Sequence, residues 1–372
     1  MKPSGSSERC DGGSPGPPHG RNEPHGGTQG RLGPALVVAQ TSFLGDVVLT
    51  TPLVSALHAR LAPRRLSVLV RPEAAPLLRG HPDVDDVLID DKRGRDRGLR
   101  GLLRTARRLG RERFELAVSP HRSLRTALVL AAARIPRRIG FRESRGAFFY
   151  HVRVTRDRRR HDVERNLALL DAFGPGPADA PRLHLAVDRE AAARAATLLP
   201  AGPAPLVGLA PGSAWATKRW TPAGFAAVAA ALEADGARCV LLGSAADRPL
   251  VEAIRAASGG RAVGLAGRTD VATLVAVIDR LALLIANDSA PMHVACARGV
   301  PVVAVFCATT PALGYGPWGS AHTVLGADLA CRPCARHGGR RCPRGTEDCM
   351  HLVEPAAVLA AARAALAARG RP

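Results

Sequence analysis

Residues 281–306 place the tightest constraint on the fold. The apolar run LALLIA is followed by Asn287, Asp288 and Ser289, all favoured helix N-caps, and by Pro291, which suits a first helical turn. A small apolar segment then leads to Gly299, and PVVAVF forms a second run of strand length. Strand, tight polar turn, helix and strand in so short a span predict a parallel βαβ unit. Such a unit sets a helix N-terminus at the carboxyl edge of a sheet, where doubly wound folds bind phosphates. An ordinary capped helix is the plainer reading of the same pattern.

The same alternation recurs on both sides. Strands are expected at 35–40, 66–70, 87–89 and 116–119, with extended segments at 138–141 and 148–154. Helices are expected from 46 to about 61, and at 99–109, 124–133 and 162–173. Two Gly/Pro-rich stretches, 174–181 and 200–205, bracket a domain boundary. The pattern then restarts, with strands at 206–210 and 238–242 and helices at 222–234, 248–257 and 270–280. The 372 residues suffice for two cores. The fold class expected is therefore α/β, with two facing Rossmann-like doubly wound domains, 35–185 and 200–350, a central cleft, and a closing helix over 354–369. Residues 1–34, rich in Gly, Pro, Ser and His and lacking an apolar stretch, read as a disordered tail without a signal peptide. A cytoplasmic location is the default expectation.

Charge divides the chain unequally. Residues 92–165 hold 23 Lys and Arg against 7 Asp and Glu, whereas 200–330 hold 9 against 8. The first half thus offers a polyanion-facing or membrane-facing surface, although arginines favoured by GC-rich coding, or a merely solvated face, would give the same count. Aromatic residues are only 3 % of the chain, which leaves few stacking platforms for RNA bases.

Two loops after first strands carry candidate chemistry. In Thr41-Ser42-Phe43-Leu44-Gly45-Asp46, Gly45 permits a close turn and Asp46 opens a helix on the edge facing the other domain, where a plain N-cap role is equally open. In the second half, Pro211-Gly212-Ser213 is followed by Thr217-Lys218-Arg219-Trp220. Backbone donors, a hydroxyl and an ammonium in that order suit a diphosphate. G-x-x-x-x-G-K-[ST] does not occur, and Asp90-Asp91 beside a basic run reads as a solvated turn rather than a metal–nucleotide chelate.

TSFLGDVVLTTPLVSAL, PGSAWATKRW and NDSAPMHVACARGVPVVAVF, in this order and spacing, resemble the ADP-heptose:lipopolysaccharide heptosyltransferases of glycosyltransferase family 9. SPHRSLRTALVLAAARIPRRIGFRES and HDVERNLALL are similar to the same family, nearer its heptosyltransferase II branch than its heptosyltransferase I branch. The resemblance extends from about residue 32 to the C-terminus. It implies a GT-B fold with the acceptor on the first domain and the nucleotide sugar on the second. It implies inverting transfer of heptose from ADP-L-glycero-β-D-manno-heptose to the lipopolysaccharide inner core, with no metal and no cofactor. By position, Asp46 corresponds to the acidic residue that serves as general base. Lys218 corresponds to the lysine that balances charge on departing ADP, and Asp288 to the aspartate that meets donor hydroxyls. Ser289, Ala290 and His293 belong to the phosphate-facing helix start, Ser213 to a hydroxyl near the phosphates, and Gly267 and Thr269 to a loop bordering adenosine. Ala290 stands where the family usually has glycine, which weakens that amide contact. On the acceptor side the resemblance points to Gly45, Arg122 and Arg125, with Arg137, Arg138 and Arg142 as secondary candidates. The expected partners are ADP-heptose, a lipid A–Kdo/heptose acceptor and peripheral contact with the inner leaflet of the inner membrane, with no nucleic acid.

Cys331, Cys334, Cys342 and Cys349 are spaced like a four-thiolate zinc site; free thiols are the plainer reading, and a cytosolic compartment disfavours disulfides. Cys239, Cys296 and Cys307 lie in apolar runs as small core residues. Other readings are a transferase of the same fold with another donor or acceptor, a silent sugar-nucleotide binder, and a basic RNA-binding protein with a zinc module.

Overall fold

A computed structural model describes residues 32–175 and 182–369. The expected tail falls almost wholly outside that range, as does much of the first Gly/Pro-rich stretch. Gly33, assigned to the tail, instead begins the first strand.

Each half is a six-stranded, fully parallel sheet. In the first, β1 (Gly33–Ala39), β2 (Pro63–Val70), β3 (Asp86–Ile89), β4 (Leu116–Ser119), β5 (Arg137–Phe141) and β6 (Val152–Val154) lie in the order β3-β2-β1-β4-β5-β6. In the second, β7 (Leu206–Ala210), β8 (Arg238–Leu241), β9 (Val263–Gly264), β10 (Leu283–Asn287), β11 (Val302–Val305) and β12 (His322–Leu325) lie in the order β12-β11-β10-β7-β8-β9. Counted from its own first strand, each sheet has the same order, and its switch point falls beside that strand. In such sheets ligands sit at the carboxyl edge of the switch point.

The helices of the first half are α1 (Leu44–Val48), α2 (Thr51–Leu61), α3 (Gly98–Arg111), α4 (Leu124–Ala132) and α5 (Asp162–Leu167). The single helix expected from Asp46 to about residue 61 is in fact two. Pro52 cannot donate to a preceding turn, so it sits in the first turn of a new helix whose N-cap is Thr50. Asp46 is also not the cap. It is the third residue of α1, and its Oδ2 accepts the Phe43 N–H at 3.1 Å. The helix expected over 162–173 tightens after Leu167 into a 3₁₀ segment, Ala168–Phe173.

The second half contributes α6 (Arg189–Leu198), α7 (Pro222–Ala234), α8 (Arg248–Ala257), α9 (Val271–Asp279), α10 (Ala290–Ala297), α11 (Asp348–His351) and α12 (Pro355–Arg369). The sequence reading assigned no element to α6, which Asp188 caps through a 2.6 Å bond from the Ala191 N–H. α6 packs on α9, α9 on the 3₁₀ segment Pro72–Leu77, and α1 on α10. The two halves therefore meet through apolar side chains, and Leu36, Val48 and Leu77 share one buried cluster with Leu284, Met292 and Val275. A further latch is polar. α5 reaches the loop after Thr310, where the Asp162 N–H donates to Gly314 O at 2.8 Å and Arg165 Nη1 to Leu313 O at 3.0 Å.

Candidate active site

A cleft of 1110 Å³ lies between the two carboxyl edges. Of the residues proposed from sequence, Gly45, Asp46, Arg122, Arg125, Ser213, Lys218, Thr269, Asp288, Ser289, Ala290 and His293 all line it. Gly267 does not. It lies against Ala245, at φ +72°, with its N–H donating to Gly243 O at 3.0 Å.

On the first wall, Asp46 Oδ2 accepts Ser42 Oγ at 2.7 Å as well as the Phe43 N–H. These two donors favour the carboxylate, as does the Arg156 charge. Burial and the nearby Asp162 carboxylate outweigh them and push the Asp46 carboxyl up to about 6. A carboxylate ionised at neutral pH but poised near 6 is suited to general base work.

Gly45 has a different role from the one expected. A Cβ there would lie 2.8 Å from His293 Cδ2, so glycine is needed for the approach of α10 rather than for a special backbone angle. Burial depresses the His293 imidazole to about 4, so it faces α1 uncharged, and its Nδ1 is buried without a hydrogen-bond partner.

On the second wall, Lys218 Nζ lies 2.6 Å from Asp288 Oδ2, which also accepts Thr309 Oγ1 at 2.7 Å. Asn287 is not a cap. It ends β10, and its side chain accepts the Trp220 N–H at 2.9 Å and donates to Pro211 O at 2.8 Å. This amide ties the Gly212-Ser213 turn to the Lys218 segment and sets their spacing. Ser289 is the N-cap of α10, but no side chain closes the first turn. The helix start is thus an amide-rich, partly positive end facing the cleft. Deeper in the second half, Leu242, Val271 and Leu274 give the cleft an apolar end beside Thr269, while Ser244 and Asp247 add polar groups.

Among the arginines, Arg125 donates to Asp90 Oδ1 at 2.9 Å, Asp96 O at 2.7 Å and Gly98 O at 3.2 Å. Most of its donors therefore brace α4 against the loop that leads into α3, and few remain for an acceptor. Arg137 and Arg138 likewise bond backbone carbonyls, at Ala172 and Phe149, and with Arg142 they lie outside the lining. Arg122 does line the cleft. It is joined there by Arg145, Arg156 and Arg336, which sequence alone does not single out because one arginine among many looks like the next, and by Tyr315. Arg156 is buried and paired with Asp162, and its Nη1 has no partner.

The cysteine loop is part of the site's architecture. The Gly339 N–H donates to Thr217 Oγ1 at 2.7 Å and the Cys334 N–H to Ala308 O at 3.0 Å, which holds the loop against the Lys218 segment. All seven cysteines of the described residues are free thiols. Among those residues no group of three or more His, Cys, Asp or Glu side chains is placed to hold a metal ion. Cys239 and Cys307 are buried in the second core as expected, whereas Cys296 is only partly buried.

Comparison with known proteins agrees with this geometry. The model of glycosyltransferase family 9 (heptosyltransferase) matches residues 102–342. The chain belongs to that family. The match includes Lys218 and Asp288, and Asp46 precedes it. The chain is 29 % identical to lipooligosaccharide heptosyltransferase 2 of Haemophilus influenzae, over 74 % of this chain and 84 % of the relative. It is 28 % identical to lipopolysaccharide heptosyltransferase 2 of Salmonella typhimurium, over 74 % and 83 %. Two solved structures share the fold. A family 9 glycosyltransferase from Veillonella parvula has a TM-score of 0.81 at 24 % identity, covering 90 % of this chain and 98 % of its own. The ADP-heptose heptosyltransferase II of E. coli has 0.77 at 24 %, covering 91 % and 100 %. The paired parallel sheets are those of a GT-B glycosyltransferase, as the motifs implied.

Proposed function

We propose that this family 9 glycosyltransferase moves heptose from ADP-L-glycero-β-D-manno-heptose to the lipopolysaccharide inner core with inversion at the anomeric carbon. The reading rests on one observation. Asp46, with its carboxyl raised to about 6, faces across a single cleft the Lys218–Asp288 pair and the uncapped start of α10. The relatives named above are heptosyltransferases 2, which supports the heptose and the core acceptor.

In this scheme the acceptor hydroxyl gives its proton to Asp46 as its oxygen bonds to the anomeric carbon. The bond from that carbon to the β-phosphate oxygen breaks, and ADP leaves with the electron pair. Lys218 and the amides of the α10 start offset the charge growing on the diphosphate, so transfer proceeds unchanged in EDTA. Ser213 and Thr309 add hydroxyls nearby, Asp288 meets donor hydroxyls, and Leu242, Val271 and Leu274 cover the adenine. Arg122 and Gly45, both in the lining of the cleft, border the acceptor. The enzyme works as a peripheral protein at the membrane that carries its acceptor. No helix among the described residues is long and apolar enough to cross a membrane.

Thermal unfolding with ADP, UDP and GDP tests the donor. A ligand bound only by the native state raises the midpoint. ADP raises it for the wild type and fails to do so for Lys218→Ala. A rise with UDP or GDP alone would retain the fold and overturn the ADP donor.

A further inference from the structure

Four of the eight large apolar side chains exposed among the described residues lie in one region of the first half: Leu99, Leu103, Leu124 and Phe148. Leu99 is 71 % exposed and Phe148 66 %. The fold brings them together. α3 packs on α4, and α4 on the 3₁₀ segment Ala147–Phe149. Arg125 at the start of α4 donates to Gly98 O at the start of α3. Gly146 is packed so tightly on α4 that a Cβ there would lie 2.6 Å from Ala127 Cβ and 3.3 Å from Leu124 Cα.

Arginines surround these side chains. Residues 93–111 contain eight arginines and one acidic residue, Asp96, which is fully buried beneath Arg95, Arg104 and Arg108. On α3, Leu102, Thr105, Ala106 and Leu109 are turned into the core, which leaves Arg100, Arg104, Arg107 and Arg111 exposed with Leu99 and Leu103 on the other face. Leu124 and Arg145 also line the cleft, so this surface is its rim on the first-half side.

We infer that this rim, α3 with the start of α4 and the Ala147–Phe149 turn, is a docking face for an anionic lipid bilayer. Exposed leucines and a phenylalanine set among arginines match the chemistry of an interfacial helix. The apolar tips enter the headgroup boundary and the guanidinium groups meet lipid phosphates. A nucleic acid would match the charge but would leave the leucines unpartnered, and it would want more stacking rings than Phe148 alone. Docked by its rim, the cleft opens onto the bilayer surface, and an acceptor anchored there reaches Asp46 without leaving the lipid. This assignment rests on the membrane-borne acceptor proposed above.

Co-sedimentation of the full chain with sucrose-loaded vesicles tests it, using pure phosphatidylcholine and a mixture containing phosphatidylglycerol, each at low and high salt. The wild type binds the anionic vesicles, and salt weakens the binding. Arg100→Glu with Arg107→Glu lowers partition by at least about 25-fold, taking about fivefold for each basic side chain lost. Leu99→Glu with Phe148→Glu lowers it at either salt concentration. Both double variants retain wild-type turnover on a deacylated, water-soluble acceptor and lose it on acceptor presented in vesicles. Equal sedimentation of wild type and both variants, absence of wild-type binding, or a salt-sensitive complex with a short RNA in place of vesicle binding would each overturn the inference. Vesicle binding with no heptose transfer to either acceptor would leave the docking face standing and remove the proposed reaction.

Discussion

At the scale of single residues, Asp46 decides most. Its carboxyl is raised to about 6 against 3.8 in an unfolded chain, so between those values the native state holds more of a proton than the unfolded state. Stability therefore falls as pH rises through that window. Asp46→Asn, always neutral, is predicted to unfold at a higher temperature than the wild type above pH 6, and at a similar one near pH 4. Scanning calorimetry at the two pH values checks this. A site group whose loss stabilises the fold is a group placed for chemistry rather than for folding. The same shift predicts that wild-type turnover has an acid limb near pH 6. Gly45 and His293 make a second pair whose meaning is spatial. Gly45→Ala forces a methyl group to 2.8 Å from the imidazole, so one of the two helices must move. The expected result is a lower melting temperature and at least about a tenfold loss of turnover, since small misplacements of reacting groups are costly.

At the scale of elements, the site is held by loops that are themselves clamped. Asn287 joins the Ser213 turn to the Lys218 segment. Asn287→Leu leaves a buried N–H and a buried carbonyl without partners, at about 1–3 kcal/mol each. It should lower stability, and it should weaken ADP in a thermal-shift titration more than a distant variant of equal stability does. The α5 latch makes a separate prediction. Gly314 combines φ +92° with a space that Arg165 fills, since a Cβ would lie 2.5 Å from its guanidinium. Gly314→Ala should cost more than the roughly 1 kcal/mol of an ordinary Gly→Ala strain, as read in urea unfolding. These elements also show what was legible in the sequence. Strands such as 116–119 were readable because short apolar runs between turn residues have few other uses. α6, β9 and β12 were not, because an alanine-rich helix has little periodic contrast, β9 has only two residues, and β12 is a half-exposed HTVL with no apolar run. The break at Thr50 was written in Pro52, and the cap signal at 287–289 was real but divided among three residues. Ser289 stands at the N-cap position without a capping bond, while Asn287 clamps and Asp288 pairs with Lys218.

At the scale of the molecule, two sheets of identical strand order face each other, and their switch points converge on one cleft. Two facing doubly wound domains with a cleft between them were expected from two rounds of strand–helix alternation; the strand order was not. Nor was the division of labour among arginines, because tertiary partners decide it. Arg125 holds the loop that leads into α3, Arg156 is buried beside Asp162, Arg122 lines the cleft, and Arg100 and Arg107 remain on the outer rim. The shared apolar core ties the halves together, so a single unfolding transition is predicted, and calorimetric and van't Hoff enthalpies should agree.

The most direct measurement is single-turnover transfer from ADP-heptose to inner-core acceptor at pH 7.5, both saturating, for the wild type and Asp46→Asn. The account predicts product from the wild type and a rate about 10²–10⁴ lower for the variant, with ADP affinity retained. Near-wild-type transfer by Asp46→Asn would contradict it.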